Sequence, residues 1–393
     1  IAAVNGIAKE RHNNINNDKN TDISQNESDK PNEPDRDKNP EVNQDVTITL
    51  SATGDIMFHP SQIEGAYNEL TGLYDFSKSF KYVKNIFEAA DIAIANFEGT
   101  TAGDEIYAYQ GYPLFNAPDE VLDAIKESGI DVLSTANNHS LDTRKAGIIR
   151  TVEEISNRGM DSVGTYVSKP ESRVLIKDVK GIKIAFISYT EMVNGLESVI
   201  SQEDLDKMVN IIDEAKIIED IKYAKEEKAD VIVAYMHWGN EYARVQNEKQ
   251  EALADMMLSE GVDIILGSHP HVIQPSKVLD YNGEKKFVIY SMGNFISNQR
   301  IETLTSYGVT NPQYTEDGII VNIEIEKKGE TGEISIKNID YIPLWVYKGI
   351  GEKGNTEHIV YPIMEYIESE DLYDSKDRMN RSYNDTMIQM DVK

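Results

Sequence analysis

The sequence predicts an α/β fold with a metal centre at the ends of its strands, and three observations lead there. Segments of strand-like alternation give way repeatedly to segments of helical spacing, the order expected of strands joined by helices. Short polar motifs follow the strands: Gly54-Asp55, Ala136-Asn137-Asn138-His139, His237-Trp238-Gly239 and Gly267-Ser268-His269-Pro270-His271. Five of the seven histidines, His59, His139, His237, His269 and His271, fall at or just after predicted strands. Where strands run parallel, ligands bind beyond their carboxyl ends, so these side chains are expected to converge.

Residues 1–45 are rich in Asn, Asp, Lys and Pro and almost free of apolar periodicity. They bury too little surface to offset ordering entropy and read as a disordered polar tether. The folded domain, 46–350, opens with the alternation Val46-Thr47-Ile48-Thr49-Leu50, which runs into Thr53-Gly54-Asp55. Phe80, Val83, Ile86, Phe87 and Ala90 then recur at helical spacing before a second strand, Ile92–Ala95, ending in Asn96-Phe97-Glu98-Gly99. A helix near 120–126 leads to a strand over 130–135, and a helix over 143–157 to a hairpin of 173–179 and 182–188. A long charged helix over 203–228 precedes the strand Val231–Tyr235, and a helix over 247–260 precedes a strand over 262–266. Three strands, 286–291, 318–326 and 333–338, close the body and read as antiparallel. The remainder, 351–393, reads as a C-terminal helical extension packed on the domain.

Composition excludes several functions. The chain has 393 residues, 40% of them hydrophobic, enough for one large core. Its 39 basic and 68 acidic side chains give a formal charge of −29. That field disfavours nucleic acid and anionic membrane, and an anionic substrate would need local cations such as a metal. Zero cysteines remove thiolate metal sites, disulfides and cysteine nucleophiles. No apolar run reaches the roughly 18–20 residues of a membrane-spanning helix. The start Ile1-Ala2-Ala3-Val4 lacks an initiator methionine, and a signal, lipid anchor or membrane segment upstream of this numbering is expected.

Asp55, Glu98, Asn138, His237, His269 and His271 are the candidate metal ligands. Carboxylate, carboxamide and imidazole together suit Mn²⁺, Fe²⁺ or Zn²⁺ better than Ca²⁺, which prefers oxygen alone. Singly, Asp55 or Asn138 reads equally well as a helix cap, and Glu98 as a solvated acid. Jointly, capping does not call for His-x-His beside a separate Asn-His pair.

These motifs, with His237-Trp238-Gly239-Asn240-Glu241-Tyr242 and Ser291-Met292-Gly293-Asn294-Phe295, resemble the CapA family of bacterial capsule and poly-γ-glutamate biosynthesis proteins over about 46–347. The resemblance implies a metallophosphoesterase-like sandwich of two mixed β-sheets flanked by helices. It implies a place at the outer face of a bacterial membrane, beside membrane-bound polymer synthase and export subunits, with an anionic capsule polymer as partner. It also implies one or two divalent ions, which in such phosphoesterases lie roughly 3.5–4 Å apart. Asp55 and His271 would then serve the first ion, Glu98 the bridge, His237 and His269 the second, and Asn138 would match the carboxamide ligand. His139 matches the residue that protonates or stabilises the leaving oxygen, with Asp142 and Glu241 orienting histidines from behind. Asn137, Trp238 and Asn294, within the same motifs, are assigned to substrate binding. One departure stands out: phosphoesterases carry histidine two residues after the first aspartate, where this chain has Met57, a poor ligand for hard ions. One firmly held ion, or two of unequal affinity, is therefore expected. Two functions compete: an accessory protein of polymer synthesis, export or anchoring, and a metal-dependent hydrolase of an envelope substrate.

Overall fold

A computed structural model describes residues 44–281 and 283–390, so the tether expected over 1–45 lies outside the described residues except for its last two. Two sheets stack face to face. Along the path of the eight-stranded first sheet lie Thr356–Pro362, Ile334–Ile350, Asp317–Lys327, Val46–Ile56, Ile92–Phe97, Val132–Ser134 and Asp161–Val163, with Asn294–Ile296 joined to Val46–Ile56. The six-stranded second sheet runs Ile273–Tyr281, Glu284–Met292, Ile264–Ser268, Val231–His237, Ile182–Thr190 and Leu175–Val179. Both are mixed. In the first, Val46–Ile56 pairs parallel with Ile92–Phe97 and antiparallel with Asp317–Lys327. In the second, four central strands are parallel and an antiparallel strand closes each edge.

Alternation along the strands places Leu50, Ile94 and Val132 of the first sheet against Phe186, Val233 and Leu266 of the second, all buried. Each such side chain contributes about 1.5–3 kcal/mol by leaving water. The outer face of the first sheet takes Val121, Leu122 and Ile125 of the helix Glu120–Glu127. That of the second takes Ile217 and Ile221 of Glu214–Glu226, and Ala254, Met257 and Leu258 of Glu248–Glu260. Near their motif ends the sheets are tied by the Tyr235 hydroxyl donating to the Thr53 carbonyl at 2.7 Å. Two motif glycines allow close backbone approach there: a Cβ at Gly54 would lie 1.9 Å from the Gly293 carbonyl oxygen, and one at Gly267 1.9 Å from that of Tyr290.

Several elements differ from their sequence reading. The long helix over 203–228 is two, Gln202–Met208 and Glu214–Glu226, capped by Ser201 and Asp213. Between them Val209 and Ile211 bridge to Thr165 and Thr190, and the extended link outcompetes helix because Asn210 also donates to the Ser188 carbonyl at 3.0 Å. The helical spacing from Phe80 to Ala90 holds only a short turn, Ser77–Phe80, and Lys84–Glu88. Glu284–Met292 is parallel to Ile264–Ser268, not solely antiparallel, and Asp161–Val163 extends the first sheet. The segment after 350 is not wholly helical: Thr356–Pro362 pairs antiparallel with Ile334–Ile350 as a strand of the sheet, before the helix Lys376–Gln389. Its alternating Ile359 and Tyr361 carried that signal among many charges. Arg378 and Arg381 of the helix pair with buried Glu316 and Asp317, the latter at 3.0 Å from Arg381. Among the described residues no helix is long and apolar enough to cross a membrane.

Candidate metal centre

The two sheets deliver different chemistry to one seam. From the first come Asp55 near the end of Val46–Ile56, Glu98 just past Ile92–Phe97, and Asn138 in the loop after Val132–Ser134. From the second come His237, ending Val231–His237, and His269 and His271, just past Ile264–Ser268. All six are buried.

Glu98 sits at the middle. One of its oxygens, Oε1, lies 3.7 Å from His237 Nε2 and 3.7 Å from His271 Nε2, and has no hydrogen-bond partner. Around His237 Nε2 gather Asn138 Oδ1 at 2.8 Å and His269 Nδ1 at 3.1 Å. On the other side, His271 Nδ1 lies 3.3 Å from Asp55 Oδ2. Glu98, His237 and His269 thus form one group with ligand atoms mutually within 4.8 Å, and Asp55, Glu98 and His271 a second, sharing Glu98.

This arrangement fits a divalent cation on its donor chemistry. A buried carboxylate oxygen left without a donor is unfavourable by about 1–3 kcal/mol or more, and a cation between the groups removes that penalty. Burial pushes the Glu98 carboxyl well up, with Asp55 and Glu241 adding to it against the opposing pull of His271. Burial also drives His237 far down, helped by His269 and His271. His269 falls to about 3, again chiefly by burial. Both imidazoles are therefore neutral near pH 7, the form that ligates metal. His271 behaves differently: burial alone would lower it, but Glu98, Asp55 and Glu241 raise it to about 10.

Further groups fix these side chains from behind. Ser268 Oγ meets His237 Nδ1 at 2.9 Å, and Asn96 donates to Asp55 Oδ1 at 2.8 Å. Neither Ser268 nor Asn96 was singled out from sequence, although Asn96, two residues before Glu98, shares its side of the strand end. His269 and His271 have φ of 94° and 57°, left-handed backbone on both sides of Pro270. His139 has Nδ1 2.7 Å from Asp142 Oδ2, and Phe115 packs edge-on against its ring.

Four assignments need correction. Asn137 is buried and spends its side chain internally, donating to the Phe97 carbonyl at 2.7 Å and accepting from the His139 amide at 3.1 Å. Trp238 is a core residue whose indole donates to the Tyr290 carbonyl at 2.9 Å. Asn294 is buried behind His271, its Oδ1 3.2 Å from Nδ1, while its amide donates to the Thr315 carbonyl at 3.0 Å. All three side chains are buried and hydrogen-bonded within the protein. Glu241 is exposed and hydrogen-bonds no histidine; its carboxylate instead lies within 4.8 Å of ligand atoms of His269 and His271. His59 stays out of the centre: it is half-buried, with Nδ1 accepting from the Asn298 amide at 3.3 Å, and desolvation pushes it down to about 3.

The class of protein is an α/β sandwich of two mixed sheets in which acids from one sheet and imidazoles from the other meet at shared strand ends. Within that class, the family model "Bacterial capsule synthesis protein PGA_cap" matches residues 49–299, and the chain belongs to this family. It is 30% identical over 307 residues to the PGA biosynthesis protein CapA of Bacillus subtilis (strain 168), spanning 75% of this chain and 72% of that one. It is 28% identical over 307 residues to the capsule biosynthesis protein CapA of Bacillus anthracis, spanning 77% of this chain and 68% of that one. Among solved structures it is similar to the calcineurin-like phosphoesterase YfkN from Bacillus subtilis, with TM-score 0.43 and 16% identity over 88% of this chain and 98% of that one.

Proposed function

We propose that this protein serves the biosynthesis of a poly-γ-glutamate-type capsule, where its centre holds one or two divalent ions, Mn²⁺, Zn²⁺ or Fe²⁺, against which the anionic polymer docks. On this reading it works at the outer face of a bacterial membrane, anchored beside the membrane-bound synthase and export subunits. Membership of the family and the names of its relatives support the biological setting. The observation that carries the metal is the unpartnered, buried Glu98 Oε1 between His237 and His271. In a chain of formal charge −29, an acidic polymer needs such a local positive charge to approach at all. A bound divalent ion would supply it and act as a Lewis acid on the group it touches.

The His139–Asp142 pair favours a second reading, hydrolysis of an ester in the envelope. Asp142 accepts at Nδ1 and fixes the tautomer, which leaves Nε2 to exchange a proton with a leaving oxygen. A grip on polymer needs no such pair. Three measurements on the full chain decide between the readings: metal content, retention on immobilised poly-γ-glutamate with and without chelator, and turnover of generic phosphomonoesters and phosphodiesters. Metal-dependent turnover lost in both His139→Ala and His269→Ala establishes hydrolysis. Chelator-sensitive retention without turnover establishes the accessory role, and a chain that takes up no divalent ion defeats both.

A further inference from the structure

The first metal group is short of a ligand. Asp55, Glu98 and His271 assemble it from the buried side, and the residue two places beyond Asp55 is Met57, also buried, whose thioether is a poor ligand for hard ions. The second group, Glu98, His237 and His269, has a further donor at hand, since Asn138 Oδ1 lies 2.8 Å from His237 Nε2. What could restore the balance must come from the open side.

One carboxylate is held there. Glu241 follows His237 on a loop fastened at both ends. On one side, Trp238 is buried and its indole donates to the Tyr290 carbonyl, while the Gly239 amide donates to Glu191 Oε2 at 3.0 Å. On the other, the Tyr242 amide donates to the carbonyl of Pro270, the residue between the two histidines, at 2.8 Å. The Tyr242 ring centre lies 6.2 Å from that of His271. This fastening lays Glu241 over the His269–His271 turn, with an oxygen within 4.8 Å of a nitrogen on each. An exposed acid has most to gain by staying in water, and three fixed contacts that hold its loop against a histidine pair are not needed for solvation.

We infer that Glu241 is a solvent-side metal ligand that acts with His269 and His271 at the open edge of the centre. The inference rests on the metal-centre reading above. It adds a carboxylate to the two imidazoles of the His269–His271 turn, while Asp55 and Glu98 meet His271 from the buried side. As the only exposed member, Glu241 is also the ligand that an incoming anionic group would displace.

Calorimetric titration of the metal-stripped full chain with MnCl₂, with bound metal counted after desalting, tests this without any assay of activity. The wild type should take up two equivalents of unequal affinity. Glu241→Gln should weaken one of them by about ten-fold or more, since loss even of an outer-shell partner costs about 10–100-fold, and leave the other unchanged. Glu248→Gln removes the same charge from a nearby exposed position and should alter neither. Glu241→Gln binding as the wild type does, both variants weakening alike, or a wild type that binds one equivalent would each overturn the inference while leaving the metal centre standing. A wild type that binds none overturns the centre itself.

Discussion

The two sheets contribute to the centre in opposite ways, and the contrast explains how it is held. The first sheet gives oxygen donors, Asp55, Glu98 and Asn138, whereas the second gives nitrogen donors, His237, His269 and His271. Neither set is complete alone. Oxygens are backed by an amide, Asn96 on Asp55, while imidazoles are backed by Ser268 and, across the seam, by Asn294 of the first sheet. A cation would thus join the two halves of the sandwich, and its binding free energy would add to the stability of their packing.

Removing a nitrogen donor breaks the comparison most severely. His269→Ala should abolish tight metal uptake and with it the stabilisation by metal, read as the loss of any Tm increase on adding Mn²⁺ or Zn²⁺. A retained increase would show that the second sheet is dispensable. Next comes Asp142→Asn, which leaves every ligand in place but removes the acceptor at His139 Nδ1. If the protein is a hydrolase, turnover should fall by about 10²–10⁴-fold at unchanged metal content; equal turnover would reduce the pair to a structural contact. Asn294→Ala takes away the support that crosses the seam and should weaken metal affinity by about 10–100-fold, measured by competition with a chromogenic chelator. An unchanged affinity would mean that Asp55 alone steers His271.

The smallest expected effect lies outside the centre and separates ligand histidines from packed ones. His358, on a strand of the first sheet, is buried with Nε2 3.0 Å from Asn298 Oδ1, and burial, aided by Lys348 and Arg300, pushes it down to about 3. Between its ordinary value of 6.5 and about 3, the unfolded chain takes up a proton that the folded chain refuses. Stability from this group is complete above the upper value and declines as pH falls through the window. In chelated protein, His358→Gln should flatten the decline of Tm between pH 7 and 4. The same slope in both proteins would assign acid sensitivity elsewhere, with His59 the next candidate.

Much of this was legible because strand ends announce themselves: an apolar run stops and Asp55, Glu98, Asn138 or His237 follows. What was not legible is the direction in which a polar side chain of a motif turns. Asn137 and Asn138 are adjacent and chemically identical, yet one braces a loop and the other faces His237, a difference set by backbone geometry alone. Trp238 reads as a binding aromatic until the packing of Tyr290 behind it is known. The break at 209–213 was hidden for a related reason, since its residues pair with Thr165 and Thr190, partners that no local window contains. Glu241 was placed behind a histidine because distance along the chain says nothing about which side of the ring a carboxylate reaches.

The left-handed backbone at His269 and His271 has a consequence for how ions enter. A side chain other than glycine in that region stores about 1–3 kcal/mol per residue, and here the Tyr242 amide holds the turn between them by donating to the Pro270 carbonyl. If the centre takes up an ion, the main chain of this turn already has its shape, and the socket is cut before the plug arrives. Loading should be fast and free of a slow annealing phase, and a mould this stiff discriminates among ions by radius, because it cannot close around one that is too small.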